Sequence, residues 1–296
     1  MGRVVSKRVV FFGTEEFSAR FLTALIEANY DVAAVVTKPD TKKGRGQNFS
    51  APLVKIIAES HSIPVLQPVK LVDIIEYIES LGAVYGVLVS YGKIVPESVI
   101  NCFKPGIINV HPSMLPSYRG PSPIETAILN GDEQTGVSIM QLSKKMDAGP
   151  VYSQIPLPLK GTETKKELYE TIGNLAETEL LSVLPSILDG SCLATRQDES
   201  RATYCQLLQK TDGMLDAATS TANESERKVR AYADFPKVRA EFYGHSIIVL
   251  KAHVTKEPKT PLHMTFYDKS ILSIDEVVAP SGKTMSADAF IRGYAA

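Results

Sequence analysis

Three nearly unbroken apolar runs in the first 111 residues, at 32–36, 83–89 and 106–111, do most to limit what this chain can fold into. A strand that is apolar on both sides must be covered on both, which is the habit of parallel sheets flanked by helices. The segments between them have helical spacing. Within 15–28, Phe17, Phe21, Leu22, Leu25 and Ile26 fall on one helical face. Segments 52–60 and 69–80 read the same way, while 8–12 reads as a first strand and 64–66 as a short one. Strand–helix repetition of this kind predicts an α/β fold with a doubly wound, mostly parallel sheet. Ligands of such sheets bind beyond the carboxyl ends of the strands. The turn Ser90-Tyr91-Gly92 and the stretch 111–116 both fall there.

Further along, 135–142 alternates as a strand, and 151–159, with Pro156 and Pro158, reads as an edge strand. Residues 165–188 form a long amphipathic pattern that stops at Asp189-Gly190. The polar, irregular stretch 191–205 reads as a linker. Short strand-like pieces follow at 238–242, 246–252, 263–267 and 271–278, which predict a small β domain. The expected division is therefore a domain over 1–190, a linker over 191–205 and a second domain over 206–296.

Composition excludes several classes. The net charge of −1 argues against a protein that coats RNA generally, so any RNA contact has to be local. No run approaches the ~18 apolar residues of a membrane helix, so no membrane association is expected. Cys102, Cys192 and Cys205 are widely spaced and lack the pairing of a metal site, which suits a reducing cytoplasm and predicts no metal. The first glycine-bearing turn, Gly13-Thr14-Glu15-Glu16, is not G-x-G-x-x-G, and its two carboxylates would repel a pyrophosphate. A dinucleotide enzyme is therefore disfavoured.

The chemistry-bearing residues cluster between 109 and 149. Asn109 and His111 stand two apart at the end of an apolar run, so on a strand they address one face. One is a neutral donor and the other a titratable one. A Pro- and Gly-rich loop follows, and the carboxylate of Asp147 completes the set. Singly, each has an ordinary reading: a structural histidine, a turn asparagine, an aspartate in turn chemistry. Together they make a kit for stabilising an oxyanion and moving a proton. A second feature is the segment 37–46, where Lys38, Lys42, Lys43 and Arg45 against Asp40 leave a charge of +3 beside two glycines. A charge run of this kind is usually a solvated surface loop, and it also reads as a mobile basic loop suited to a phosphate backbone.

The pattern N-x-H-x-S-x-L-P from Asn109, then Arg119-Gly120, then D-x-G at Asp147, resembles the folate-dependent formyltransferases. The resemblance implies a formyltransferase core of Rossmann-like type, with Asn109, His111 and Asp147 as the catalytic group and no metal. It implies that 10-formyltetrahydrofolate, the formyl donor, is held by Ser113, Met114, Leu115 and Pro116 and by Ser90, Tyr91, Gly92 and Ile94. Met114 stands where a leucine is commoner. The T-x-P-D and G-R-G of 37–46 resemble the loop that the tRNA-formylating branch inserts at the acceptor end. This implies RNA contact by Arg45, Lys42 and Lys43, initiator methionyl-tRNA as partner, and a monomer acting with a small OB-like β-barrel as its second domain.

The later part departs from that branch. Thr203-Tyr204-Cys205-Gln206 stands for T-Y-A-x-K, Leu215-Asp216-Ala217 for I-D-W, and Ala233-Asp234-Phe235-Pro236 for N-P-W-P, with no tryptophan anywhere. Three other readings stay open at this level: a formyltransferase for a sugar amine, a hydrolase of the formyl donor, and a non-catalytic RNA-binding module with a decayed folate core.

Overall fold

Strand β1 (Arg8–Gly13) lies inside a seven-stranded sheet, with Val9, Val10, Phe11 and Phe12 fully buried. Burial of side chains of this size contributes ~1.5–3 kcal/mol each, so the strand is a rigid platform for what lies at its end. The protein is described by a computed structural model over residues 7–43, 48–82, 84–103 and 106–295. After β1 come α1 (Glu16–Glu27), β2 (Asp31–Val36), β3 (Thr41–Lys43), β4 (Asn48–Ser50), α2 (Leu53–Ser60) and β5 (Val65–Leu66). Then follow α3 (Ile75–Ser80), β6 (Tyr85–Val89), α4 (Glu97–Ile100), β7 (Ile107–His111), α5 (Pro123–Asn130), β8 (Gln134–Gln141), β9 (Val151–Pro158) and α6 (Lys165–Leu188).

The strand order is β5-β2-β1-β6-β7-β8-β9. The pairs β1 with β2, β1 with β6, β2 with β5 and β6 with β7 are parallel, as the apolar runs predict. At β7 the pattern turns: β8 runs antiparallel to it, with Asn109 opposite Met140 and His111 opposite Ser138. β9 then forms the edge, where the missing N–H groups of Pro156 and Pro158 are tolerated. Helix α3 is shorter than the segment 69–80, because its first turn, Leu71–Ile74, is 3₁₀. Such tight turns are frequent at helix starts.

The basic segment is more ordered than a loop. β3 and β4 pair antiparallel, with Thr41 opposite Ser50 and Lys43 opposite Asn48. Charge dominated the sequence here, and backbone pairing needs no apolar alternation. Arg45, at 44–47, lies outside the described residues.

Contacts divide the chain into two compact units. The first runs to Pro121 and includes Gly136–Leu157 and Tyr169–Tyr204. Its core gathers Val10, Phe12, Val36, Ile74, Tyr91 and Phe103. The stretch read as a linker belongs largely to this unit. Val151 and Thr195 exchange two backbone hydrogen bonds of 2.8 Å, and the Arg119 amide donates to the Thr203 carbonyl at 2.9 Å. Polar composition hid this, because the segment is held by backbone and side-chain hydrogen bonds.

The second unit is Ser122–Thr135, Pro158–Leu168 and Cys205–Ala296. It adds α7 (Ala222–Ala231), β10 (Val238–Phe242), β11 (His245–Thr255), β12 (His263–Thr265), β13 (Ile271–Val278), β14 (Thr284–Ser286) and α8 (Ala287–Tyr294). The strands make a curled antiparallel half-barrel, ordered β10-β11-β13-β12 with β14 also on β13. Ile247, Val249, Leu272, Ile274 and Phe290 fill its core. Helix α7 was legible in principle, since Thr221 and Glu224 form a capping box. Buried Glu125 of α5 pairs with Lys165 at 3.0 Å. Among the described residues, no helix is long and apolar enough to cross a membrane.

Candidate active site at the end of strand β7

Strand β7 is buried along its whole length, so its last polar side chains are held where water hardly reaches. Asn109 and His111 are 6 % and 4 % exposed and share a face. The imidazole Nε2 lies 2.9 Å from the Tyr118 carbonyl. A carbonyl can only accept, so Nε2 carries a proton and donates it. The second nitrogen, Nδ1, faces Asp147 Oδ2 at 3.8 Å. That is too long for a hydrogen bond, yet close enough for an ion pair once Nδ1 is protonated. The Asn109 carboxamide makes no hydrogen bond to any described residue. With no partner among the described residues, the amide is free to serve a ligand.

Asp147 sits at φ 47°, in the left-handed region. The Gly120 N–H donates to its Oδ2 at 2.8 Å. The Gln197 side-chain amide donates to the carbonyls of Asp147, at 2.8 Å, and of Gly149, at 2.7 Å. A Cβ on Gly149 would come within 1.8 Å of the Gln141 carbonyl oxygen, so only glycine lets the strap pass this close to β8.

The loop after His111 is pinned from β8 and β9. Ser138 Oγ donates to the Ser113 carbonyl at 2.7 Å and accepts from the Leu115 amide at 3.0 Å. Gln154 Nε2 donates to the Leu115 carbonyl at 2.8 Å. Ser113 is fully buried, donating to the Ser117 carbonyl, and Leu115 is buried too. These two side chains are therefore scaffold, and Met114 and Pro116, half-buried, are the ones open to a ligand.

The turn at 90–92 meets the same end of the sheet. Ser90 has φ 45° and Gly92 φ 70°, and the Ser90 carbonyl accepts from the amides of Thr14 and Glu15, both at 3.3 Å. Tyr91 departs from expectation as a ligand side chain. Its ring is buried edge-on against Phe12, with centroids 5.7 Å apart, and burial pushes its hydroxyl up to about 12. Only its backbone is left for a ligand, because the turn that exposes Ser90 and Gly92 sends the ring inward. Ile94, by contrast, is 82 % exposed.

The basic hairpin is anchored at its base. Lys55 Nζ contacts both Asp40 oxygens, at 3.1 and 2.9 Å, and Gln67 Oε1 at 2.9 Å. Gln67 Nε2 donates to the Lys38 carbonyl and to Asp40 Oδ1, at 2.8 and 2.7 Å. The Gln67 hydrogen bond, then Lys55, holds the Asp40 carboxyl below its ordinary range. Lys42 and Lys43 lie on β3, in a two-stranded sheet of its own rather than the sheet that carries Asn109 and His111. Sequence reasoning missed Tyr118 and Gln197. Gln197 is an isolated amide fifty positions beyond the residue it holds, and no local pattern marks it.

A formyl transferase family model matches residues 7–184. A methionyl-tRNA formyltransferase of Sulfurihydrogenibium sp. is 38% identical over 252 residues, covering 84% of this chain and 81% of that one. One from Lactobacillus acidophilus is 34% identical over 298 residues, covering 96% and 95%. Among solved structures, HypX from Aquifex aeolicus in complex with tetrahydrofolic acid matches with a TM-score of 0.68. That match has 16% identity and covers 97% of this chain and 47% of the other, a likeness of fold.

Proposed function

The chain belongs to the formyl transferase family, and from that premise we propose that it moves the formyl group of 10-formyltetrahydrofolate onto the α-amine of initiator methionyl-tRNA, for initiation of translation in the cytoplasm. The observation that carries this reading is the meeting of an unpaired amide, an imidazole and a carboxylate at the end of β7. Similarity to methionyl-tRNA formyltransferases over 96% of the chain supports the choice of amine.

The neutral amine attacks the formyl carbon, a new C–N bond forms and the bond to the folate nitrogen breaks. Between these events the formyl oxygen carries negative charge. One preorganised donor to such an oxyanion is worth ~2.7–4 kcal/mol. The Asn109 carboxamide, without a protein partner, supplies one. His111 supplies the second through Nδ1, because Nε2 is engaged by the Tyr118 carbonyl. Asp147 pairs with the protonated imidazole and accepts the proton released by the amine, directly or through water. One proton leaves the amine and one is returned to the folate nitrogen, so the protein ends as it began. On this reading the backbone of 90–92, with Ile94, Met114 and Pro116, holds the folate.

The hairpin is the reason for preferring tRNA over a small amine. Its cations meet phosphate, and the Asp40–Lys55–Gln67 cluster sets its base. Asp40→Ala is expected to raise the KM for tRNA several-fold with folate KM and Tm close to native, and Arg45→Ala to act in the same direction. Steady-state kinetics with each substrate varied in turn decides this; an unchanged tRNA KM in both variants would reduce the hairpin to surface. The sign for pH follows from the lowered Asp40 carboxyl. Its charge, and the anchor with it, is present above the ordinary carboxylate range and is lost only as pH falls through the lowered value. tRNA KM should therefore not respond to Asp40 anywhere near neutrality.

The central test is incubation with 10-formyltetrahydrofolate and charged initiator tRNA, with charged elongator tRNA in parallel. Formyl-methionine on the initiator alone is expected. Formate release without it would point to hydrolysis, and formylation of an amino sugar instead would move the chain to another branch.

A further inference from the structure

Asp147 is held in a left-handed turn at φ 47°, a conformation that costs on the order of 1 kcal/mol or more for a residue with a side chain. Something outside the turn has to fix it, and Gln197 occupies that position. Its Nε2 donates to the carbonyls of Asp147 and Gly149, at 2.8 and 2.7 Å. Its Oε1 accepts from Arg119 Nε at 3.1 Å and Nη2 at 2.8 Å. Arg119 has no acceptor, so the oxygen of the amide must face it and the NH₂ must face the two carbonyls. Arg119 itself is 1 % exposed and is fixed by Glu199, at 2.7 and 3.1 Å, and by the Tyr204 hydroxyl at 3.3 Å. Its neighbour Gly120 holds the Asp147 carboxylate at 2.8 Å. Three successive residues thus address three parts of the site: Tyr118 the imidazole, Arg119 the Gln197 amide, Gly120 the carboxylate.

We propose that Gln197 is the positioning residue that sets the Asp147 carboxylate against His111, and that Arg119 acts on the reaction through Gln197. The inference rests on the proposed formyl transfer only for its kinetic readout. A misplacement of about 1 Å in such a constellation costs on the order of 100-fold in rate.

The test compares native protein with Gln197→Leu, which removes both donors and the acceptor, and Gln197→Glu, which keeps the acceptor but turns an oxygen toward two carbonyls. Both are expected to lower kcat by ~10–100-fold, with KM for folate and for tRNA within about twofold. At fixed pH, the His111 ring signals in the NMR spectrum should move in both. Arg119→Ala combined with Gln197→Leu should lower kcat no further than the more damaging single variant, since residues acting as one unit are not additive. Native kcat in Gln197→Leu, KM rising in proportion to the loss, additive losses, or unmoved His111 signals would each overturn the proposal. A variant too unstable to assay, with the other one folded and fully active, would overturn it as well, leaving Gln197 a stabilising residue only. Should the native protein formylate no tRNA while the His111 signals still move, the functional reading fails and the positioning role stands.

Discussion

Asp147→Ala should lower turnover by ~10²–10⁴-fold, the range for loss of a group that moves protons in the transition state, with folate affinity near native. His111→Ala should fall in the same range. The two losses should not add, because the carboxylate and the imidazole 3.8 Å away act as one unit. The expectation for binding follows from the proposed site, in which the 90–92 backbone, Ile94, Met114 and Pro116 hold the folate, while Asp147 is tied to Gly120. Single-turnover kinetics with folate binding measured separately decides it. Full activity in either variant would remove these residues from the chemistry.

Asn109→Ala has the second largest expected effect, and its signature is a rate lost without stability lost. Removing one oxyanion donor costs ~10²–10³-fold in kcat. Most buried amides would take stability with them, because their partners are left unpaired. The Asn109 amide has no partner among the described residues, so Tm should stay close to native. Thermal unfolding and kcat on the same sample separate the roles. A marked fall in Tm with rate retained would make Asn109 a structural residue.

The sheet was legible because burial on both faces leaves an unmistakable mark: runs such as 32–36 have nothing polar to place outward. Period two likewise placed Asn109 and His111 on one face. Their antiparallel neighbour at β8 was not legible, since strand direction leaves no trace in side-chain alternation. Asp147 needed its motif, as an aspartate before Ala-Gly fits any turn. Tyr91 shows the limit of a motif: it marked a backbone turn at the end of the sheet but not that the ring packs on Phe12. Gln197 was beyond reach, because its meaning lies in two carbonyls and an arginine brought from distant segments.

The chain passes from one compact unit to the other at 121/122, 135/136, 157/158, 168/169 and 204/205. A genetic cut at any one of these points therefore liberates neither half intact. A fragment beginning at 205 would lack α5 with Glu125 and the start of α6 with its partner Lys165. The recombination that swaps modules between proteins, and the limited proteolysis that reveals them, both act at single joints, and this chain has no joint of that kind.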